Sequence, residues 1–150
     1  MADAKQIFDA LMIEAQSDIR SAKLLLDGTE FSRSIYHSQQ AVEKGMKASL
    51  VLAGIVITDD HWVSDRFMKA FPEMLNIHNL IRDSKYLERQ AIKSRYPLFT
   101  SIEKPIWIPS NEYTVQDAED AYRKALAILK SIKQFLKEKH GISFAEERRQ

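Results

Sequence analysis

The stretch "RSIYHSQQAVEKGMKASLVL", Arg33 to Leu52, decides the fold. At about 100° per residue, Ile35, Val42, Met46, Ser49, Leu50 and Ala53 gather on one side of a helix. On the other side Arg33, His37, Gln40, Lys44 and Lys47 fall within an arc of roughly 80°. An ordinary solvated face mixes charge signs, but this stripe holds no carboxylate. Glu43 lies at its edge, one turn before Lys47, and can pair with it.

The same periodicity extends in both directions. Ile7, Leu11, Ala15, Ile19, Ala22 and Leu26 define a first helix from about Asp3 to Leu26, stopped by "DGTE" at Gly28. The second helix opens at Phe31 or Ser32, with Ser32 as N-cap, and ends near Gly54. After "IVIT", the segment "DDHWVSDRFMKAF" reads as a short helix capped by Asp59 or Asp60 and interrupted by Pro72. Leu75, Leu80, Ile81, Leu87 and Ile92 make a helix of Glu73–Tyr96, closed by Pro97. "LFTSIEKPIWIPSNEY", with Pro105 and Pro109, reads as an ordered loop. Thr114 and Asp117 form a capping box for a last helix whose stripe is Ala118, Ala121, Ala125, Leu129, Ile132 and Leu136. The expected fold is therefore all-α: an up-and-down antiparallel bundle of four main helices plus a short extra helix. Residues 1–140 form one domain, and 141–150 form a frayed tail.

Composition narrows the chemistry. The 150 residues suit one domain with a self-sufficient core. There is no cysteine, which removes disulfides, thiolate metal sites and a cysteine nucleophile, and fits a reducing cytoplasm. Lys+Arg number 22 against Asp+Glu 21, so an anion site has to come from local segregation of charge. No apolar run approaches the ~20 residues of a membrane span, and the N-terminal stretch has no apolar signal core. The expectation is a soluble cytoplasmic protein, without membrane contact, metal or organic cofactor. His61 beside Asp59 and Asp60 reads as a helix-cap cluster, because adjacent residues rarely converge on one ion.

The basic stripe has two readings: a solvated face, or an anion site in which lysines meet phosphate and Gln40 reads a base or ribose. The second polar group, "KSRYP", places Arg95 and Tyr96 at a rigid helix end, where a guanidinium and a ring can hold a phosphate and stack a base. The alternative there is an arginine at the negative end of a helix dipole, with Tyr96 in the core.

Taken together, "DIRSAKLLLDGTEFSRSIYHSQQAVEKGMKASLVLAG", Asp18 to Gly54, resembles the signature of HEPN domains, the higher eukaryotes and prokaryotes nucleotide-binding family. The matching positions of the second helix are His37, Gln39, Gln40, Ala41, Glu43, Lys44, Lys47, Ala48 and Leu50. His61, Ser94–Pro97 and "YTVQDAEDAYRKA" follow in the family's order, so the resemblance spans about Ile13 to Phe135. It implies a helical bundle, commonly a homodimer, often associated with a minimal nucleotidyltransferase in toxin–antitoxin-like systems. It also implies nucleotide or RNA binding, here by His37, Gln40, Lys44, Lys47, Arg95 and Tyr96. The antiparallel bundle, with the fourth helix ending at Pro97 and Arg95 at its mouth, predicts that Lys44 and Arg95 share one ligand.

Many members of the family cleave RNA, and these resemble one another in an Arg followed by four to six residues and a His. None of His37, His61, His78 or His140 has an Arg at that separation. Arg33 and His37, with three residues between them, are the nearest case and the only catalytic candidates. The expectation is therefore a binding module rather than an enzyme. A ribonuclease toxin and a protein-interaction domain are the alternatives. Apolar residues outside the four stripes, namely Trp62, Phe67, Phe71, Phe99, Trp107 and Ile108, predict a homodimer interface.

Overall fold

The computed structural model describes residues 1–57 and 62–144. The first helix, α1 (Ala4–Asp27), is opened by Asp3, whose carboxylate accepts from the Gln6 amide. Gln6 answers by accepting from the Asp3 amide at 3.0 Å, which completes a capping box. At its other end the Gly28 amide donates to the Leu24 carbonyl. Gly28 has φ −87°, and the left-handed residue that turns the chain is Thr29, at φ 63°.

The second helix, α2 (Phe31–Leu52), is the centre of the molecule. It contacts every other helix among the described residues. Fourteen of its residues are buried, including Ser34, Ser38, Gln39, Glu43 and Ser49. Ser32 lies inside the helix and is not its cap; the Glu30 position precedes Phe31 and makes no side-chain cap. The Ser34 hydroxyl instead donates 2.7 Å to the Ala22 carbonyl and ties α2 to α1. Gly45 lets α2 approach the last helix closely: a Cβ there would meet Leu129 Cδ2 at 2.6 Å. A glycine costs about 1 kcal/mol inside a helix, so this close packing has to offset it.

After α2 come α3 (Val63–Ala70), a 3-10 turn (Pro72–Asn76) and α4 (Leu80–Lys93). The single helix expected from Glu73 to Tyr96 is thus divided. Pro72 starts a 3-10 turn, and Asn79 takes the left-handed conformation at φ 64° before α4 begins. Within α4, Leu87 falls roughly 20° from Leu80, whereas Ile81 and Ile92 fall roughly 100–120° away on another face. Leu80 and Leu87 are buried, whereas Leu75, Ile81 and Ile92 are exposed. The expected caps Asp59 and Asp60 lie outside the described residues. Glu88 on α4 serves the start of α3: its carboxylate accepts from the Ser64 amide at 2.6 Å and the Ser64 hydroxyl at 2.7 Å. Burial pushes the Glu88 carboxyl above its ordinary value, partly offset by these two bonds.

The 98–113 segment holds one antiparallel bridge, Leu98 to Trp107, and the short helix α5 (Pro109–Glu112). The Trp107 indole donates 2.7 Å to the Lys93 carbonyl and packs edge-on against Tyr113. Trp107 therefore fastens this excursion to the end of α4. The Tyr113 hydroxyl donates to Gln90 Oε1 at 2.7 Å, and burial pushes its pKa up to about 12. The last helix, α6 (Val115–His140), carries the Thr114–Asp117 capping box and buries all six residues of the expected stripe, together with Ile128.

The result is an all-α antiparallel bundle whose four long members are α1, α2, α4 and α6. No helix among the described residues is long and apolar enough to cross a membrane. Two members of the expected interface set belong to the core: Phe67 and Phe71 stack on each other and are buried. Trp62, Phe99 and Ile108 remain exposed. Phe144, assigned from sequence to the frayed tail, is also buried and packs on Phe8 with ring centroids 6.0 Å apart.

Candidate functional site

The carboxylate missing from the basic stripe comes from the neighbouring helix. Asp18 sits on the buried face of α1, only 8% exposed. Its Oδ1 lies 2.8 Å from His37 Nδ1, and its Oδ2 accepts from Lys44 Nζ at 2.5 Å. A buried carboxylate needs such partners, since an unpaired charge there is costly. Lys47 is treated similarly by Glu43, 3.5 Å away within α2. Gln40 donates to Gln39 Oε1 at 2.7 Å, and Gln39 lies 3.5 Å from Glu43. The C-terminal half of the stripe is thus a paired network.

The N-terminal half differs. Arg33 donates to the Ser94 carbonyl at 3.3 Å, beyond the end of α4, and to Ser32 Oγ at 3.3 Å. Arg95 donates to the Tyr36 hydroxyl at 3.1 Å. Its guanidinium lies 4.9 Å from the Tyr36 ring centroid and 4.7 Å from that of Tyr96. Arg95 Nε is buried with no hydrogen-bond partner. Both arginines are held by neutral groups, and neither forms an ion pair with a carboxylate among the described residues. Tyr96 is 53% exposed, so it is neither core nor shielded from solvent. Here two cations and an aromatic face share one corner of the bundle, between the start of α2 and the end of α4.

Tyr36 joins the two halves. Its ring meets His37 edge-on at 5.3 Å while its hydroxyl holds Arg95. A continuous run of contacts therefore leads from Lys44 through Asp18, His37 and Tyr36 to Arg95. Lys44 and Lys47 also line a separate groove of about 410 Å3 between α1 and α2, with Ile7, Leu11, Val51 and Val56. Asp18 and Tyr36 were not among the residues singled out from sequence. Asp18 had a visible signal: at three residues from Ala15 and four from Ala22, it falls on the apolar stripe of α1. A carboxylate at such a position calls for a cation from another helix. Among the described residues no three His, Asp or Glu side chains converge as a metal site, and His61 lies outside them.

The family model described as "HEPN domain" matches residues 8–137. The chain belongs to the HEPN family. A protein of Methanocaldococcus jannaschii named "Putative toxin MJ1304" is 39% identical over 135 residues, covering 85% of this chain and 87% of that one. Two crystal structures share the fold seen here. TT1696 from Thermus thermophilus aligns with a TM-score of 0.69 at 25% identity, over 85% of this chain and 96% of that one. ST0689, described as an archaeal HEPN homologue, aligns with a TM-score of 0.64 at 23% identity, over 89% and 98% of the two chains. The matched region of the HEPN domain contains Asp18, the whole of α2 and the Arg95–Tyr96 corner.

Proposed function

We propose that this HEPN domain is a nucleotide- or RNA-binding module, working as a homodimer with a minimal nucleotidyltransferase partner in a toxin–antitoxin-like system. The observation that carries the reading is the unequal pairing of its cations. Arg33 and Arg95 are held by a carbonyl, hydroxyls and aromatic rings, which fix the guanidinium groups without neutralising them. A phosphate supplies the anion they lack, and an Arg fork matches its oxygens. Tyr96 offers a face to a base, as single-strand binders use aromatic rings. His37, Gln40, Lys44 and Lys47 extend the contact surface along α2, with the two lysines paired to Asp18 and Glu43. The exposed apolar residues Phe99, Ile102, Ile106 and Ile108 lie just beyond this corner in the chain and supply a surface for the second copy. The test is titration of a labelled single-stranded RNA, read by anisotropy. Arg95→Ala is expected to weaken binding about tenfold or more, the loss of one charge-assisted contact. Unchanged affinity would refute the reading.

A ribonuclease toxin is the second reading, favoured by one geometric feature. With Nδ1 facing Asp18, His37 in its neutral Nδ1–H form leaves Nε2 free as a base, the usual way a carboxylate fixes an imidazole tautomer. Growth arrest on expression, lost in His37→Ala together with RNA cleavage in vitro, would select this reading over simple binding.

A further inference from the structure

A second concavity is unrelated to the arginine corner. It lies between α1 and α6, which contact each other far less than α1 contacts α2. The cleft holds about 790 Å3, within the roughly 300–1,000 Å3 typical of small-molecule sites. Its floor is apolar: Ile19, Leu129 and Phe144 are buried, and Leu126 forms an exposed wall. Its rim is cationic. Lys130, Lys133 and Lys137 recur along α6 within an arc of roughly 60°, as helical spacing dictates. The lining offers one carboxylate, Glu138, which already accepts from Gln134 at 3.0 Å. Lys133 donates to Gln16 Oε1 at 3.4 Å and stands 5.7 Å from the Phe144 ring centroid. Lys130 and Lys137 form no ion pair among the described residues.

An apolar floor under a row of cations selects a particular ligand chemistry. A nucleic-acid strand would satisfy the lysines but lay polar sugar and phosphate over Ile19, Leu129 and Phe144. A neutral hydrocarbon would cover the floor and leave the rim unused. We propose that the α1–α6 cleft binds a free alkyl carboxylate. Its chain lies along Ile19, Leu126, Leu129 and Phe144, and its head group is held by Lys130 and Lys137. Aliphatic lysine stems add further apolar cover beside the chain.

The experiment is calorimetric titration of the full chain with decanoate, below its micelle-forming concentration, and with decanol as the uncharged counterpart. Saturable binding of one decanoate per chain is expected, with decanol about tenfold weaker, the loss expected when a charge-assisted contact is removed. Lys130→Gln/Lys137→Gln should weaken decanoate about tenfold and leave decanol unchanged. Leu126→Asp should weaken both ligands. These are exposed positions, and circular dichroism confirms the fold of each variant. Arg33→Ala/Arg95→Ala should bind decanoate like wild type, which separates this cleft from the site under Proposed function. The proposal is overturned by a non-saturating titration, by equal affinity for decanoate and decanol, or by indifference to the lysine substitutions. It is also overturned if decanoate affinity falls as protein concentration rises, which would mean that a second copy covers the cleft.

Discussion

The two ends of the polar stripe on α2 have the same charge sign and opposite circumstances. At the C-terminal end, Lys44 and Lys47 each meet a carboxylate, Asp18 and Glu43. At the N-terminal end, Arg33 shares its corner with Arg95, and both meet only neutral acceptors and rings. The difference teaches that a row of cations on one helix is not in itself an anion site. What matters is whether a carboxylate, on the neighbouring helix or one turn away, supplies the counter-charge. The Lys44–Asp18 pair bridges α1 to α2 and contributes to the fold, whereas arginines fixed without neutralisation remain available for a ligand.

The strongest way to break this comparison is to remove the counter-charge. Asp18→Ala strands Lys44 and His37 and is expected to cost about 2 kcal/mol of stability, in the range for hydrogen bonds to charged groups. A fully buried pair would cost more, but the two side chains are 28% and 31% exposed and can regain water. Urea denaturation measures the loss. The freed lysine should also bind RNA more tightly than in wild type, so the C-terminal end would come to behave like the N-terminal one. A stability change near zero would show that the Asp18 network does not hold α1 to α2.

A smaller effect is expected from Tyr36→Phe. The substitution removes the hydroxyl that receives Arg95 at 3.1 Å and keeps the ring beneath the guanidinium. About 1 kcal/mol of stability should be lost, the usual net worth of one hydrogen bond. RNA affinity should fall by less than tenfold, because Arg95 keeps its charge and its stack. A loss as large as that of Arg95→Ala would mean that the hydroxyl itself contacts the ligand.

The smallest effect sharpens the comparison with a third acid, the half-buried Glu88, whose hydrogen-bond partners are the Ser64 amide and hydroxyl rather than a cation. Burial raises its folded pKa above the unfolded value. Between those two values the folded state binds the extra proton, so stability falls as pH rises through that window. Urea midpoints measured from pH ~4 to ~7 should therefore show a downward contribution that Glu88→Gln abolishes. An unchanged pH profile in the variant would remove Glu88 from the account.

Most of the fold was legible because the four long helices bury regular stripes. The α6 stripe is buried at all six expected positions, and its Thr114–Asp117 capping box is present. Legibility failed where the helical phase breaks without an apolar signature. Nothing in the spacing announces that Asn79 turns left-handed and divides the expected helix, and Ile81 and Ile92 lie roughly 100–120° around α4 from the buried Leu80. The site was half legible. Arg95 and Tyr96 do flank one corner, and Glu43 does pair with Lys47. The place of Asp18 on the α1 stripe signals its need for a cation, but a helix-by-helix reading does not say which cations meet it. Its partners lie 19 and 26 positions away on α2. Tyr36 was hidden for a similar reason, since its contact with Arg95 spans 59 positions.

The central claim, that ligand anions are met by the arginines and not by the paired lysine, is tested most directly by two double variants in one RNA titration. Arg33→Ala/Arg95→Ala removes the two unneutralised cations. Asp18→Asn/Lys44→Met removes one charge of each sign and leaves the net charge unchanged. The account predicts a loss on the order of a hundredfold for the arginine pair, two charge-assisted contacts of at least about 1.4 kcal/mol each. For the Asp18–Lys44 pair it predicts a change within about threefold, roughly 0.7 kcal/mol. The reverse pattern, with RNA held by the arginine variant and lost by the neutral pair, would contradict it.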